Sequence, residues 1–199
     1  MKLLLTSNGL SNPVLKDKFR SSLAKSPAEA RVLLLSFPTD LNDSTAIEGC
    51  KSEMTELGVQ LTAVNLIEGL AREPVDYDAV YVCPSNTFAL MQQIKYKSVK
   101  DYLVDLVKKG VLYVGAGAGS IIAGPDISIA GWGSEADQNF ANFEDATGLE
   151  LTETAIFPHF RPDLESELAA FRETVSYPVT ALADGQAYFE EDGRSEIVG

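Results

Sequence analysis

Val111-Leu-Tyr-Val-Gly-Ala-Gly-Ala-Gly-Ser-Ile-Ile-Ala-Gly124 is the stretch that decides the fold. Residues 111–114 are a short apolar run of the kind that forms a buried strand. Three alternating glycines follow, Gly115, Gly117 and Gly119, and residues 120–123 begin a helix. Strand, sharp glycine turn and helix make a nucleophile elbow, which holds one side chain exposed above a sheet. The small flanking residues let strand and helix approach closely, and glycine accepts strained dihedrals there. The pattern is G-x-S-x-G with one change, because Gly117 stands at its centre where a serine would be.

On the N-terminal side, strand and helix patterns alternate. Residues 2–6 read as a strand ending at the turn Ser7-Asn8-Gly9, and Pro13 opens a helix carrying Leu15, Phe19 and Leu23. Residues 31–36 form a second, continuously apolar strand, as expected where both faces of a parallel sheet are covered. Asn42 or Asp43 is the expected cap of a helix that runs to Leu57 and stops at Gly58. Residues 60–66 are a third strand, a linker lies around Glu73-Pro74, and residues 78–83 are a fourth strand. One helix carries Phe88, Leu90, Met91 and Ile94. Another spans residues 98–109 and stops at Gly110. This alternation predicts an α/β protein with a doubly wound, mostly parallel sheet, in one domain over residues 1–199.

Beyond Gly124-Pro125 the pattern loosens. Residues 127–130 fit a short strand, and residues 131–148 fit a long loop on the active-site side. Residues 154–157 form a strand that delivers Pro158-His159-Phe160, and residues 164–173 form a helix. Residues 179–183 form a strand whose expected hairpin partner is 186–190, across Asp184-Gly185.

The 199 residues are 45% hydrophobic and 23% charged, typical of a soluble globular protein. A net charge of −13 argues against nucleic acid or an anionic membrane surface as partner. The apolar run at the N-terminus is too short for a signal peptide or membrane span, so a cytoplasmic location is the expectation. Two cysteines, Cys50 and Cys83, and a single histidine supply too few ligands for a His/Cys zinc site. Neither a metal nor another cofactor is expected.

His159, the only histidine, follows a strand, and α/β folds place chemistry at the carboxyl ends of their strands. Asp184 also follows a strand, although an Asp-Gly pair is explained by turn chemistry alone. Asp137, in the long loop, is a second candidate acid whose bland reading is solvated charge. Residues 83–87, Cys-Pro-Ser-Asn-Thr, sit at another strand end. Cap chemistry accounts for Ser85, Asn86 and Thr87, and backbone N–H groups here could also face the elbow.

The elbow, Asn86-Thr87-Phe88 after a strand, and Phe157-Pro158-His159-Phe160 together resemble the peptidase E family. Gly148-Leu149 and Ala181-Leu182-Ala183-Asp184-Gly185 extend the resemblance over most of the chain. That family comprises serine peptidases with a class I glutamine amidotransferase-like, flavodoxin-like fold, some of which cut after an N-terminal aspartate. The resemblance implies a nucleophile at position 117 and a base at His159. It implies Asp184 as the orienting carboxylate, with Asp137 the competing choice. The oxyanion hole would use the N–H of Ala118 and one from the Ser85–Asn86 turn. A small peptide or small-molecule ligand is the implied partner, and a homodimer is left open.

Two departures bear on activity. Gly117 has no side chain and cannot form an acyl intermediate. The glycine-rich run that precedes Asn-Thr-Phe in the family is here Cys83-Pro84-Ser85, and Pro84 has no N–H to donate. Activity is therefore expected to be impaired, and the alternative is a silent member that binds an acidic or peptide ligand. Ser120 and Cys83 are the other conceivable nucleophiles, and neither stands at the elbow's apex. Arg161 and Arg172 are conceivable carboxylate partners. A third reading takes Gly115-x-Gly117-x-x-Ser120, with Glu135 further on, as a dinucleotide fingerprint, against which the helix ends early at Gly124-Pro125.

Overall fold

The computed structural model describes residues 1–69, 75–140 and 142–199. In chain order its strands are β1 (Lys2–Thr6), β2 (Arg31–Ser36), β3 (Gln60–Asn65), β4 (Ala79–Val82) and β5 (Leu112–Ala116). After these come β6 (Ala155–Phe157), β7 (Val179–Ala181), β8 (Ala187–Glu191) and β9 (Arg194–Val198). The helices are α1 (Pro13–Ser22), α2 (Leu41–Leu57), α3 (Thr87–Tyr96), α4 (Val99–Lys108), α5 (Ala118–Ile121) and α6 (Glu165–Arg172). Seven strands lie side by side in the order β3-β2-β4-β5-β1-β8-β9. Those from β3 to β1 run parallel, and β8 and β9 complete the sheet antiparallel. β6 and β7 pair in parallel as a separate ribbon.

Side chains alternate across a strand, so a continuous apolar run supplies two faces at once. Leu3, Leu5, Leu33, Leu35, Val80 and Val82 face the layer that contains α3, α4 and α5. Leu4, Val32, Leu34, Tyr81, Leu112 and Val114 face α1 and α2. Helices thus cover both faces, and the expected doubly wound, mostly parallel sheet is what the chain forms.

Several details differ from the sequence expectations. Asp40, not Asn42 or Asp43, caps α2, its Oδ1 accepting the Asp43 N–H at 2.9 Å. Gly58 ends that helix in the left-handed region, as expected. Residues 127–130 form no strand. Ser128–Gly131 is a 3₁₀ turn, wound tight after Asp126 accepts the Ser128 N–H. The expected hairpin across Asp184-Gly185 does not form, because β7 pairs with β6 and the chain then crosses to the main sheet. The hairpin lies one Asp-Gly pair later, between β8 and β9. Asp192 and Gly193 both have positive φ there, as a two-residue hairpin turn of this hand requires. The linker expected around Glu73-Pro74 lies outside the described residues.

The elbow sits at the carboxyl end of β5, a strand hydrogen-bonded on both sides, to β4 and β1. Gly117 takes φ 52° and ψ −113°, and α5 starts at the next residue. A Cβ on Gly119 would come 2.3 Å from the Val82 carbonyl oxygen, and one on Gly115 would come 2.5 Å from the Gly119 oxygen. These glycines let α5 sit directly on the strand ends. Gly119→Ala is therefore expected to destabilise the fold by at least about 2 kcal/mol through forced overpacking. Gly49→Ala, on α2 with nothing within 4 Å of the new Cβ, should instead stabilise it by about 0.5–1 kcal/mol. Urea unfolding midpoints of the two variants check both signs.

Candidate active site

The elbow is fastened to the end of β1. The Gly117 N–H donates to the carbonyls of Thr6 and Ser7 at 3.2 and 3.0 Å, and Ser120 Oγ donates to the Thr6 carbonyl at 2.7 Å. Thr6 Oγ1 in turn donates to the Gly115 carbonyl at 2.9 Å. The Gly117 carbonyl accepts from the N–H groups of Ser120 and Ile121, which closes the first turn of α5.

His159 follows β6 and takes a left-handed conformation, φ 55°. Its backbone N–H donates to Ser7 Oγ at 2.8 Å, and Ser7 Oγ donates to Asp184 Oδ1 at 2.9 Å. The same carboxylate oxygen lies 2.8 Å from His159 Nδ1. A carboxylate at Nδ1 places the ring proton there, so Nε2 is left as the acceptor. Nε2 faces the elbow, since an ideal Cβ on Gly117 would lie 3.8 Å from it and no closer than 3.6 Å to any neighbour. A base oriented in this way can take a proton from a hydroxyl at that point. The ring and its carboxylate are about half exposed.

The two candidate carboxylates therefore part company. Asp184 stands at the ring, whereas Asp137 Oδ2 accepts the Thr87 N–H at 2.8 Å at the start of α3. Asp137 is a cap for that helix. Ala118 and Ser85 line the cavity beside the elbow. Ser85 Oγ donates to the Phe37 carbonyl at 2.5 Å. Asn86 is turned away from the cavity wall, with Oδ1 capping the Ala89 N–H and Nδ2 donating to the Gln138 carbonyl.

The residues weighed as substitute nucleophiles are both occupied. Ser120 is fully buried with its hydroxyl on Thr6. Cys83 is buried as well, and burial, reinforced by the neighbouring Cys50, pushes its thiol well above the usual range. Arg161 pairs with Glu135 and Asp163, and Arg172 with the Val179 carbonyl and Glu165. Neither arginine lines the cavity. The dinucleotide reading fails on geometry: α5 ends at Ile121, and Glu135 is held by Arg161.

The cavity over Gly117 has a volume of about 180 Å³. Its walls come from the ends of β4, β5 and β6 and from the loop that carries Ile129, Trp132 and Asp137, so that loop does lie on the site side. Among the described residues no His/Cys/Asp/Glu group could hold a metal ion, and no helix is long and apolar enough to cross a membrane.

Known proteins resemble the chain in sequence and in fold. The sequence profile of peptidase family S51 matches residues 3–198. The chain belongs to peptidase family S51. An uncharacterized peptidase of Listeria monocytogenes is 28% identical to the S51 chain over 83 residues, 42% of the chain and 40% of that relative. Peptidase E of Escherichia coli is 28% identical over 107 residues, 54% of the chain and 44% of the relative. The matched regions thus span about half the length of these relatives or less. The crystal structure of a candidate peptidase E from Listeria monocytogenes superposes with a TM-score of 0.76 at 20% identity, covering 98% and 96% of the two chains. A peptidase from an acI-B1 actinobacterium gives 0.69 at 14% identity, covering 100% and 87%.

Ser7 is the residue that sequence reasoning missed in the S51 chain. It reads as part of a Ser-Asn-Gly turn, and only the crossing of β1 with the ends of β6 and β7 gives its hydroxyl two partners. Its turn is held by Glu53, whose Oε2 accepts the Leu10 N–H and the Tyr81 hydroxyl, both at 3.1 Å. Ser7→Ala should lower stability by about 1–2 kcal/mol, since the His159 N–H loses its acceptor, and should broaden or shift the His159 ring signals in NMR spectra. Burial raises the Glu53 carboxyl above its ordinary value, so the native state holds its proton to higher pH than the unfolded chain. Stability then falls as pH rises between the two values. Glu53→Gln should flatten that fall, raising stability at neutral pH and leaving it little changed in acid, as urea midpoints across that range would record.

Proposed function

We propose that this chain keeps the framework of a serine-type S51 peptidase site without its nucleophile. It binds a small peptide or similar small molecule above Gly117 and hydrolyses it negligibly. The observation that supports this reading is the alignment of Asp184, His159 Nδ1 and His159 Nε2 on the point where a side chain at 117 would begin, 3.8 Å from Nε2. In this reading His159 is the base and Asp184 the group that orients it. The oxyanion donors are the N–H of Ala118, at the start of α5, and that of Ser85 across the cavity. Pro84 supplies no donor, so the hole is thinner than a glycine in its place would make it. With a hydrogen at the apex no acyl-enzyme forms, and the rate left is what binding and the oxyanion donors supply.

Hydrolysis through a displaced nucleophile is the weaker reading, because Ser120 is hydrogen-bonded in the core and the Cys83 thiol is buried and hard to ionise. Both cysteines are free and buried, which suits the reducing cytoplasm.

The test is turnover of dipeptides with acidic, neutral and basic first residues. The unmodified chain should show none above background. Gly117→Ser should gain about a hundredfold or more over it, a small part of the roughly 10⁶-fold that a triad nucleophile supplies elsewhere. The gain should vanish in Gly117→Ser/His159→Ala and grow in Gly117→Ser/Pro84→Gly. Serine at this strained position should cost about 1–3 kcal/mol of stability. Efficient hydrolysis by the unmodified chain, abolished by Cys83→Ala or Ser120→Ala, would overturn the reading. So would a folded Gly117→Ser variant that neither binds nor cleaves any dipeptide.

A further inference from the structure

The His159 ring is oriented by Asp184 Oδ1, 2.8 Å from Nδ1, which leaves Nε2 as an acceptor. No described residue donates to Nε2. The room in front of it is set by Gly117. An ideal Cβ there would lie 3.8 Å from Nε2 and 3.6 Å from both Pro84 Cβ and the Ser7 carbonyl oxygen. These three neighbours therefore leave space for a side chain that glycine does not carry. A water molecule a little farther from the backbone can donate to Nε2 at ordinary hydrogen-bond length. Solvent reaches this point, because the His159 side chain is about half exposed.

A second observation lies across the same cavity. The Ala118 and Ser85 N–H groups have no acceptor among the described residues, and both residues line the wall. Such donors stabilise an acyl oxygen as it gains charge. The cavity, about 180 Å³, has room for a small acyl group. General base and oxyanion donors thus remain, with solvent in place of a tethered nucleophile.

The geometry points to a second activity: hydrolysis of activated acyl esters, those of a phenol or a thiol, by direct attack of water with His159 as general base. The inference rests on reading this cavity as the ligand site. The water oxygen bonds to the acyl carbon while one of its protons passes to Nε2. The acyl oxygen becomes the oxyanion beside Ala118 and Ser85. As this intermediate collapses, the bond to the leaving group breaks, and a phenolate or thiolate departs with the electron pair. That anion then takes the proton from Nε2, so ester and water become carboxylic acid and phenol or thiol. An untethered water lacks the proximity advantage of a serine. A peptide bond therefore stays intact, and only an acyl group with a stable leaving anion reacts.

The test uses the full chain with para-nitrophenyl acetate and its amide counterpart, para-nitroacetanilide. The ester should be hydrolysed with saturation, about a hundredfold above buffer alone, and the amide not at all. His159→Ala should lower that rate about tenfold or more, and heavy water should slow the unmodified chain about twofold, since a proton moves in the transition state. No burst and no acetylated protein should be seen by mass spectrometry. Gly117→Ala, whose Cβ pushes the water aside, should slow the ester about fivefold or more while the chain still unfolds cooperatively. Gly117→Ser should instead give a burst and an acetyl adduct. An acetyl group found on His159 of the unmodified chain, with no slowing in heavy water, would make the ring itself the nucleophile and overturn the inference. An undiminished rate in His159→Ala or in folded Gly117→Ala would overturn it too. If the unmodified chain leaves the ester untouched while Gly117→Ser cleaves dipeptides, this inference falls and the ligand-site reading stands. If neither protein turns over ester or dipeptide, both fall.

Discussion

The pairing of β1 with β5 is the constraint on which the site depends. Its register sets Thr6 beside Ala116, so the backbone that leaves β1 runs directly alongside the elbow. The Thr6 and Ser7 carbonyls take the Gly117 N–H, and the Ser7 hydroxyl reaches across to His159 and Asp184. Three strand ends from distant parts of the sequence are thereby tied at one residue. A one-residue slip in this pairing would turn Leu3, Leu4 and Leu5 to the wrong faces, so the two apolar layers enforce the register. The core thus holds the geometry of the site, which sits in solvent at the rim of the sheet.

Much of this was legible in the sequence because burial on both faces leaves a strong mark. Residues 32–35 and 111–114 are uninterrupted apolar runs, and both became central strands. The elbow was legible because close approach of α5 to Val82 demands glycines at fixed spacing. β9 was not legible. It is an edge strand of Arg-Ser-Glu-Ile-Val, mostly exposed, and nothing in its composition separates it from a polar tail. The two Asp-Gly pairs at 184 and 192 look alike locally, and only the pairing of β7 with β6 decides which of them turns a hairpin.

The same distinction runs through the site. His159 stood out as the only histidine just past a strand, and Asp184 could be set beside it only through the resemblance. Nothing local separated Asp184 from Asp137 as the partner, since each is an acid in a loop. The choice is made by chain crossing: β7 delivers Asp184 to the ring, and the loop at 137 passes over the start of α3. Ser7 left no signal because a hydroxyl in a Ser-Asn-Gly turn is ordinary. Its importance comes from two partners more than a hundred and fifty residues away.

None of the contacts that position His159 passes through a side chain at 117. The ring is held by Asp184, the backbone by Ser7, and the following residue by the Phe160 N–H on the Leu182 carbonyl. The elbow is likewise held by backbone groups of Thr6, Ser7 and Gly117. A nucleophile could therefore be lost without loosening its surroundings. Its loss would even relieve strain, since φ 52° and ψ −113° cost a residue with a Cβ about 1–3 kcal/mol and cost glycine far less. Glycine at the apex thus spares the fold the strain that a side chain there would carry. The framework then persists for the fold's own reasons.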